Sequence, residues 1–375
     1  MPWATINMDD QRRAFVLRVQ QGGTSFVALC REFAISRKTG YKWKARAVQE
    51  GIGELAERSR RPRCSPSQLD EATTCTLIRL RLAHPTWGPK KLCVLYARLH
   101  PTAPSVGSCH RVLRRAGLIV ARRRRVASAS ARLIAATPAH APNDVWTVDF
   151  KGWWRLADRQ RCEPLTVRDA YSRFVLAARL VPDAGTATVR AEFERLFQTY
   201  GLPKVIKSDN GPPFASTKSV LGLSRLSAWW VALGIDLDRS RPAHPQDNGA
   251  HERLHRDIRA ELARFIQPDA AAQQAAFELW REQFNHERPH EALQQRCPGE
   301  LYTKSDRLYR PADLGYGPGF VTRRVTPTGL IRWEGDSVFV SHALAGWDLG
   351  LRSRDTHHLE VHFAHLPLGF IDLQT

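Results

Sequence analysis

The sequence predicts a multidomain α/β protein: all-α helix-turn-helix units at the N-terminal end, a mixed-sheet core, and a small all-β barrel at the C-terminal end. Three observations carry this. The 375 residues exceed what one hydrophobic core usually holds. Of the net charge of +19, +18 is lodged before residue 143, where 26 Lys and Arg stand against 8 Asp and Glu, whereas 30 stand against 29 from there on. The apolar pattern also changes along the chain, from helical spacing to a βββαβ order and then to short strands alone. The domains expected from these changes are a helix-turn-helix domain over 1–58, a basic linker over 59–69, a second helix-turn-helix-like domain over 70–120, a basic linker over 121–142, an α/β core over 143–305 and the barrel over 312–375.

Composition narrows the classes of function. A hydrophobic content of 43% provides for packed cores. No uncharged run approaches the ~20 residues that span a bilayer, and MPWATINMDDQRR lacks the apolar centre of a signal peptide. A cytoplasmic protein with no membrane partner is expected. Seven cysteines without any CxxC argue for reduced, buried thiols rather than a disulfide framework or a zinc finger.

The basic third reads as two compact helical units. In 9–48 an apolar pattern (Phe15, Leu17, Val19) precedes VALCREFAIS and a second helix, SRKTGYKWKARAV, with Ser36 as N-cap. In a helix-turn-helix the second helix lies in the major groove, where Arg37, Lys38, Lys42 and Lys44 would meet phosphates and base edges of double-stranded DNA. A small bundle with a solvated basic face fits the same pattern. Residues 70–119 repeat the theme with the turn HPTWGPKKL, which carries Lys90 and Lys91. There Ser108 could cap a basic helix with Arg111, Arg114 and Arg115. The run Arg122, Arg123, Arg124 and Arg125 opens a flexible tether able to track a DNA backbone.

The core begins with VWTVDFKGWW, a strand holding Asp149. LTVRDAYSRFVLAARLV gives two strands about a turn at Asp169, TATVRAEFERLFQTYG gives a helix, and KVIKSDNGPPF gives a strand that Asp209 closes. A helix over 219–234 and a strand at IDL lead into RPAHPQDNGAHERLH, after which Leu254, Ile258, Leu262 and Phe265 form the inward stripe of a helix. Glu252 lies off that stripe, in the first turn. Alone it would be an ordinary N-terminal acid favoured by the helix dipole. Two acids at strand positions need a reason, because buried carboxylates are costly unless paired or metal-bound. Three acids from separate elements suit a Mg²⁺ pair for phosphoryl transfer.

Past residue 312, LIRWEG, SVFVSHAL, DLGLR, LEVHF and GFIDL read as strands of the barrel. In HLEVHF, His358, Glu360 and His362 alternate with Leu359, Val361 and Phe363, so these histidines read as a solvated face rather than a zinc site.

The motifs VWTVDFKG, DAYSRF, IKSDNGPPF, RPAHPQDNGAHERLH and NHERPHEALQQRCPGELY, in this order over 143–302, resemble the catalytic core of integrase-type DDE transposases of bacterial insertion sequences. The resemblance implies a ribonuclease-H-like fold in which Asp149, Asp209 and Glu252 are the catalytic acids and hold two Mg²⁺, or Mn²⁺ as substitute. It implies a DNA transposase that binds terminal inverted repeats, frees the 3′ ends of the element and joins them to target DNA, assembled on DNA as a homo-oligomer. The gap from Asp209 to Glu252 is longer than in the best-known members, and Glu261 is the second choice. His244, Gln246 and Asn248 lie beside the acids and could contact DNA. Asp169 reads as a turn residue supporting the site, and Asn285, Arg288, Pro289 and His290 match a trailing motif read as structural. The alternative is a DNA-binding regulator with an inactive core. A tyrosine recombinase would leave the three acids idle, and a plain ribonuclease H would not need two DNA-reading units.

Overall fold

Capping side chains decide where the first helices start. α1 (Met8–Gln21), α2 (Phe26–Glu32) and α3 (Arg37–Glu50) begin behind Asn7, Ser25 and Ser36, whose side chains accept from the backbone N–H of Asp9, Ala28 and Thr39. Phe15, Val16, Leu29, Cys30, Trp43, Ala47 and Leu55 close a core among these helices. Gly40 lets α3 lie close, since a Cβ there would stand 2.7 Å from Cys30 Sγ. Leu17 faces solvent, because Phe15, Val16 and Val19 already fill the inward side of α1. This computed structural model describes residues 7–58, 68–119, 137–217, 219–240, 249–263, 265–355 and 357–373. They fall in two compact units, Met1–Gln68 and Leu69–Thr375.

The second unit opens with three more helices, α4 (Glu71–Ala83), α5 (Pro89–Leu99) and α6 (Val106–Arg115). Ser105, not Ser108, caps α6: its Oγ accepts from the Ser108 N–H, so the helix starts earlier than expected. Packing of α5 on α6 brings Cys93 and Cys109 together as a disulfide, against the expectation of reduced thiols, which sequence spacing alone could not correct. Cys30, Cys162 and Cys297 are free and buried, but Cys75 is exposed.

The core is a five-stranded mixed sheet. It comprises β1 (Val145–Phe150), β4 (Pro164–Asp169), β5 (Val175–Leu180), β6 (Val205–Ser208) and β7 (Asp236–Arg239), in the order β5-β4-β1-β6-β7. β1, β4 and β5 run antiparallel, and β6 and β7 lie parallel to β1. A hairpin not foreseen from the sequence, β2 (Trp154–Arg155) with β3 (Arg161–Cys162), interrupts β1 and β4. One face is covered by α7 (Thr186–Tyr200) and α8 (Arg225–Ala232) through Phe193, Phe197, Trp229 and Trp230. The other is covered by α9 (Gly249–Glu261) and α10 (Ala270–Glu282) through Leu254, Ile258, Phe277 and Trp280. The helix expected over 219–234 is only α8, because Ser224 starts it with a capping box after a 3-10 turn at Val220–Gly222. Phe265 is exposed rather than in the stripe of α9, since that helix ends at Glu261.

The C-terminal strands are β8 (Val321–Arg324), β9 (Leu330–Trp333), β10 (Asp336–Phe339), β11 (Asp348–Ser353), β12 (His358–Phe363) and β13 (Leu366–Asp372). They are all-β as expected but do not close into a barrel. β13-β12-β11-β8 is an open antiparallel sheet, and β9 and β10 form a separate hairpin. The reason lies in what covers the apolar face: Leu349, Leu351, Leu359, Val361 and Phe363 pack on Leu223, Ala228, Val231 and Ala232 around α8, so the sheet need not curl on itself. Among the described residues no helix is long and apolar enough to cross a membrane.

Candidate active site

Strand alternation decides which side chains meet. Along β1, Trp146, Val148 and Phe150 join the α7–α8 layer, so Thr147 and Asp149 turn toward α9. On β4, Leu165 and Val167 join the first layer, and Thr166, paired across the ladder with Asp149, turns toward α9. The sheet thus shows α9 a polar face.

α9 meets it with two histidines one turn apart. Buried His251 lies with Nδ1 2.9 Å from Thr147 Oγ1 and Nε2 2.6 Å from Thr166 Oγ1, and His255 Nε2 is 2.9 Å from that Thr166 hydroxyl. Thr166 Oγ1 donates to the Asp149 carbonyl at 2.9 Å. A hydroxyl has one proton; with it committed there, both imidazoles must donate through Nε2–H, and Thr147 must donate to His251 Nδ1. Burial supports that neutral state, holding His255 down to about 4 and His251 well below the ordinary imidazole range.

The three acids surround this network. Asp149 is half-buried, with Oδ2 3.9 Å from His255 Nδ1. Asp209 follows β6 and Glu252 occupies the first turn of α9, both exposed. Burial first, then the charges of Asp209 and Glu252, push the Asp149 carboxyl up to about 7. Asp209 is set by its own turn: Oδ1 accepts from the Gly211 N–H at 3.2 Å, and Asn210 donates to the Ser240 carbonyl beyond β7. A Cβ at Gly211 would press to 3.2 Å from Asp209 Oδ2.

Among the described residues no three His, Cys, Asp or Glu stand together at metal-ligand spacing. Asp209 and Glu252 are near enough to Asp149 to hinder its ionisation, and an all-carboxylate donor set of this kind suits a hard divalent cation such as Mg²⁺. Glu261, the second choice for the third acid, is committed elsewhere: it accepts from Trp280 Nε1 at 2.6 Å, lies 3.2 Å from Arg288 and accepts from Thr86.

The supporting residues are structural in the expected sense. Asp169, fully buried, accepts from the N–H of Asn143 and Ser172 and from Ser172 Oγ. Asn285 accepts from Val175 N–H at 2.8 Å and donates to Val175 O at 3.0 Å, acting as a strand neighbour. Pro289 follows Arg288, which pairs with Asp257 at 2.9 Å on α9.

The expected DNA-binding residues separate. Arg37, Lys38, Lys42 and Lys44 are exposed on α3, and Arg111, Arg114 and Arg115 on α6. Lys90 is exposed but pairs with Glu291 at 2.5 Å. Lys91 is half-buried and lines a cavity. Arg122, Arg123, Arg124, Arg125, His244, Gln246 and Asn248 lie outside the described residues.

Family models described as an integrase core domain match residues 139–245 and 233–298, so all three acids fall within them. A helix-turn-helix domain matches 11–63 and a homeodomain-like domain 39–113. An uncharacterized 31.7 kDa protein of insertion element IS407 from Burkholderia multivorans is 28% identical over 64% of this chain and 83% of its own length. An uncharacterized 39.2 kDa protein of insertion element IS476 from Xanthomonas euvesicatoria is 26% identical over 63% of this chain and 66% of its own. The chain thus carries an integrase core domain behind helix-turn-helix domains, and these relatives are insertion-element proteins. The catalytic core domain of BIV integrase is similar at 26% identity over 43% of this chain and 93% of that one, with a TM-score of 0.34.

The sequence reading of this integrase core overlooked four residues, Thr147, Thr166, His251 and His255. A signal was present. His251 and His255 stand four apart in HERLH, on one face of α9, and Thr147 and Thr166 occupy the polar steps of alternating strands.

Proposed function

We propose that the chain is the DNA transposase of an insertion sequence, binding its terminal inverted repeats, cleaving at the 3′ ends and joining them to target DNA. The observation that supports this is the half-buried Asp149 on the central strand of an integrase core, its carboxyl held up to about 7 by burial and by Asp209 and Glu252. Asp149, Asp209 and Glu252 would hold two Mg²⁺, or Mn²⁺ in their place. When bound, these ions supply positive charge to the attacking and leaving oxygens of an in-line displacement.

The chain's own residues do the positioning. Thr166 fixes the backbone of Asp149 and, through His251 and His255, the start of the helix that carries Glu252. The Asn210–Ser240 contact fixes the turn that carries Asp209. Arg37, Lys38, Lys42 and Lys44 on α3, with Arg111, Arg114 and Arg115 on α6, would bind double-stranded DNA through phosphates and groove edges. Two element ends must be joined in one event, so a homo-oligomer assembled on DNA, in the bacterial cytoplasm, completes the reading.

Labelled DNA carrying the element's ends, incubated with Mg²⁺ or Mn²⁺, tests it. Wild type should free and join 3′ ends; Asp149→Asn, Asp209→Asn and Glu252→Gln should each abolish both steps while retaining DNA binding. Binding by wild type without cutting would make the chain a DNA-binding regulator instead.

A further inference from the structure

α9 has a second polar face beside the one its histidines turn to the sheet. Arg253 and Arg256 on that face, with Lys91 from α5, Arg173 from the turn after β4, and Arg288 and His290 from the trailing motif, line a cavity of about 480 Å³. Arg168 of β4 contributes to its wall. Two acids also line it, and both have partners: Asp257 pairs with Arg288 at 2.9 Å and Glu291 with Lys90 at 2.5 Å. Among the described residues no ion pair engages Lys91, Arg173, Arg253 or Arg256. His290, 8% exposed, keeps Nε2 without a hydrogen-bond partner among those residues, and Arg288, 6% exposed, keeps Nε likewise.

So much like charge in one partly enclosed space is unfavourable by itself. Burial and then Arg288 hold Lys91 down to about 8, and burial followed by Arg288, Lys91 and Arg173 holds His290 to about 2. An anion would add an attraction to each of these cations, offsetting their mutual repulsion and favouring their charged forms. Guanidinium forks beside an ammonium match the oxygens of a phosphate, and exposed Arg253 and Arg256 leave the cavity open to a chain-like ligand.

We propose that this cavity binds a backbone phosphate of the DNA, distinct from the phosphate at the three acids, with Lys91, Arg173, Arg253 and Arg256 as its ligands. The proposal rests on the reading of the protein as DNA-binding. It also puts one helix between two sites, Glu252 facing the acids and Arg253 facing the cavity.

The test uses the full chain, wild type and Lys91→Gln/Arg253→Gln, with two probes: a duplex carrying the element's ends, titrated over a range of salt, and sodium pyrophosphate, read by thermal shift. Loss of one phosphate contact should weaken duplex binding about ten-fold and make the slope of log K against log salt shallower by about 0.9. Pyrophosphate should raise the Tm of wild type and not of the variant. Should the double variant fold poorly, exposed Arg256→Gln carries the same expectation at smaller size. Unchanged affinity and slope in a well-folded variant would overturn the proposal. If wild type binds no duplex, the DNA reading has failed and pyrophosphate decides the cavity: a shift lost in the variant assigns it to a free phosphate anion, and no shift in wild type overturns it as an anion site.

Discussion

Asp149 is ionised at neutral pH only against the fold's preference. Its carboxyl titrates near 7 in the folded chain and near 3.8 when exposed, so the unfolded chain carries fewer protons between those values and stability falls as pH rises through that window. Asp149→Asn lacks this penalty. Without divalent cations its unfolding free energy should exceed that of wild type by about 2–4 kcal/mol at pH 8, and the gap should close as pH drops toward 4, as read from urea melts. Mg²⁺ should raise the Tm of wild type more strongly above pH 7 than below it, because a proton no longer competes for the carboxylate, and should leave the Tm of Asp149→Asn nearly unmoved. A flat response of wild type to Mg²⁺ at pH 8 would count against metal binding by these acids.

At the scale of elements, α9 is where sequence and structure part company most usefully. The core strands, the acids on β1 and after β6, and the inward stripe at Leu254 and Ile258 were legible, because alternation and helical spacing are local signals. What was not legible is pairwise. Thr166 reaches His251 and His255 across 85 and 89 residues, and no local pattern announces such a contact. The shorter α8, the earlier start of α6 and the open C-terminal sheet were missed for a related reason: each turns on a capping choice or a packing partner that competes with an equally good alternative. The Thr166 hydroxyl has a measurable role. Thr166→Val would strand two imidazole N–H groups, of buried His251 and part-buried His255, so it should cost about 1–3 kcal/mol in urea unfolding and, on the proposed function, should slow DNA cleavage, with the three acids untouched. Unaltered stability would mean that the histidines do not depend on that hydroxyl.

Across the whole molecule, the core of the first unit, built on Phe15, Leu29, Trp43 and Leu55, is drawn, among the described residues, from that unit itself. A chain beginning at Leu69 should therefore melt cooperatively near the Tm of the corresponding transition in the full chain, while its affinity for element ends falls; loss of cooperative melting would show that the second unit depends on the first. Within that second unit, α9 is tethered along its length, by His251 and His255 to the sheet and by Asp257 and Glu261 to Arg288. Its backbone would have little left to settle were the three acids to take up the proposed ions. What stays free is the rotamer of Glu252, a few torsions of one exposed side chain, whose ordering costs on the order of 1–2 kcal/mol. The final adjustment can thus belong to a single carboxylate arm swinging on a fixed mount, an entropic threshold low enough for a weakly held ion to cross.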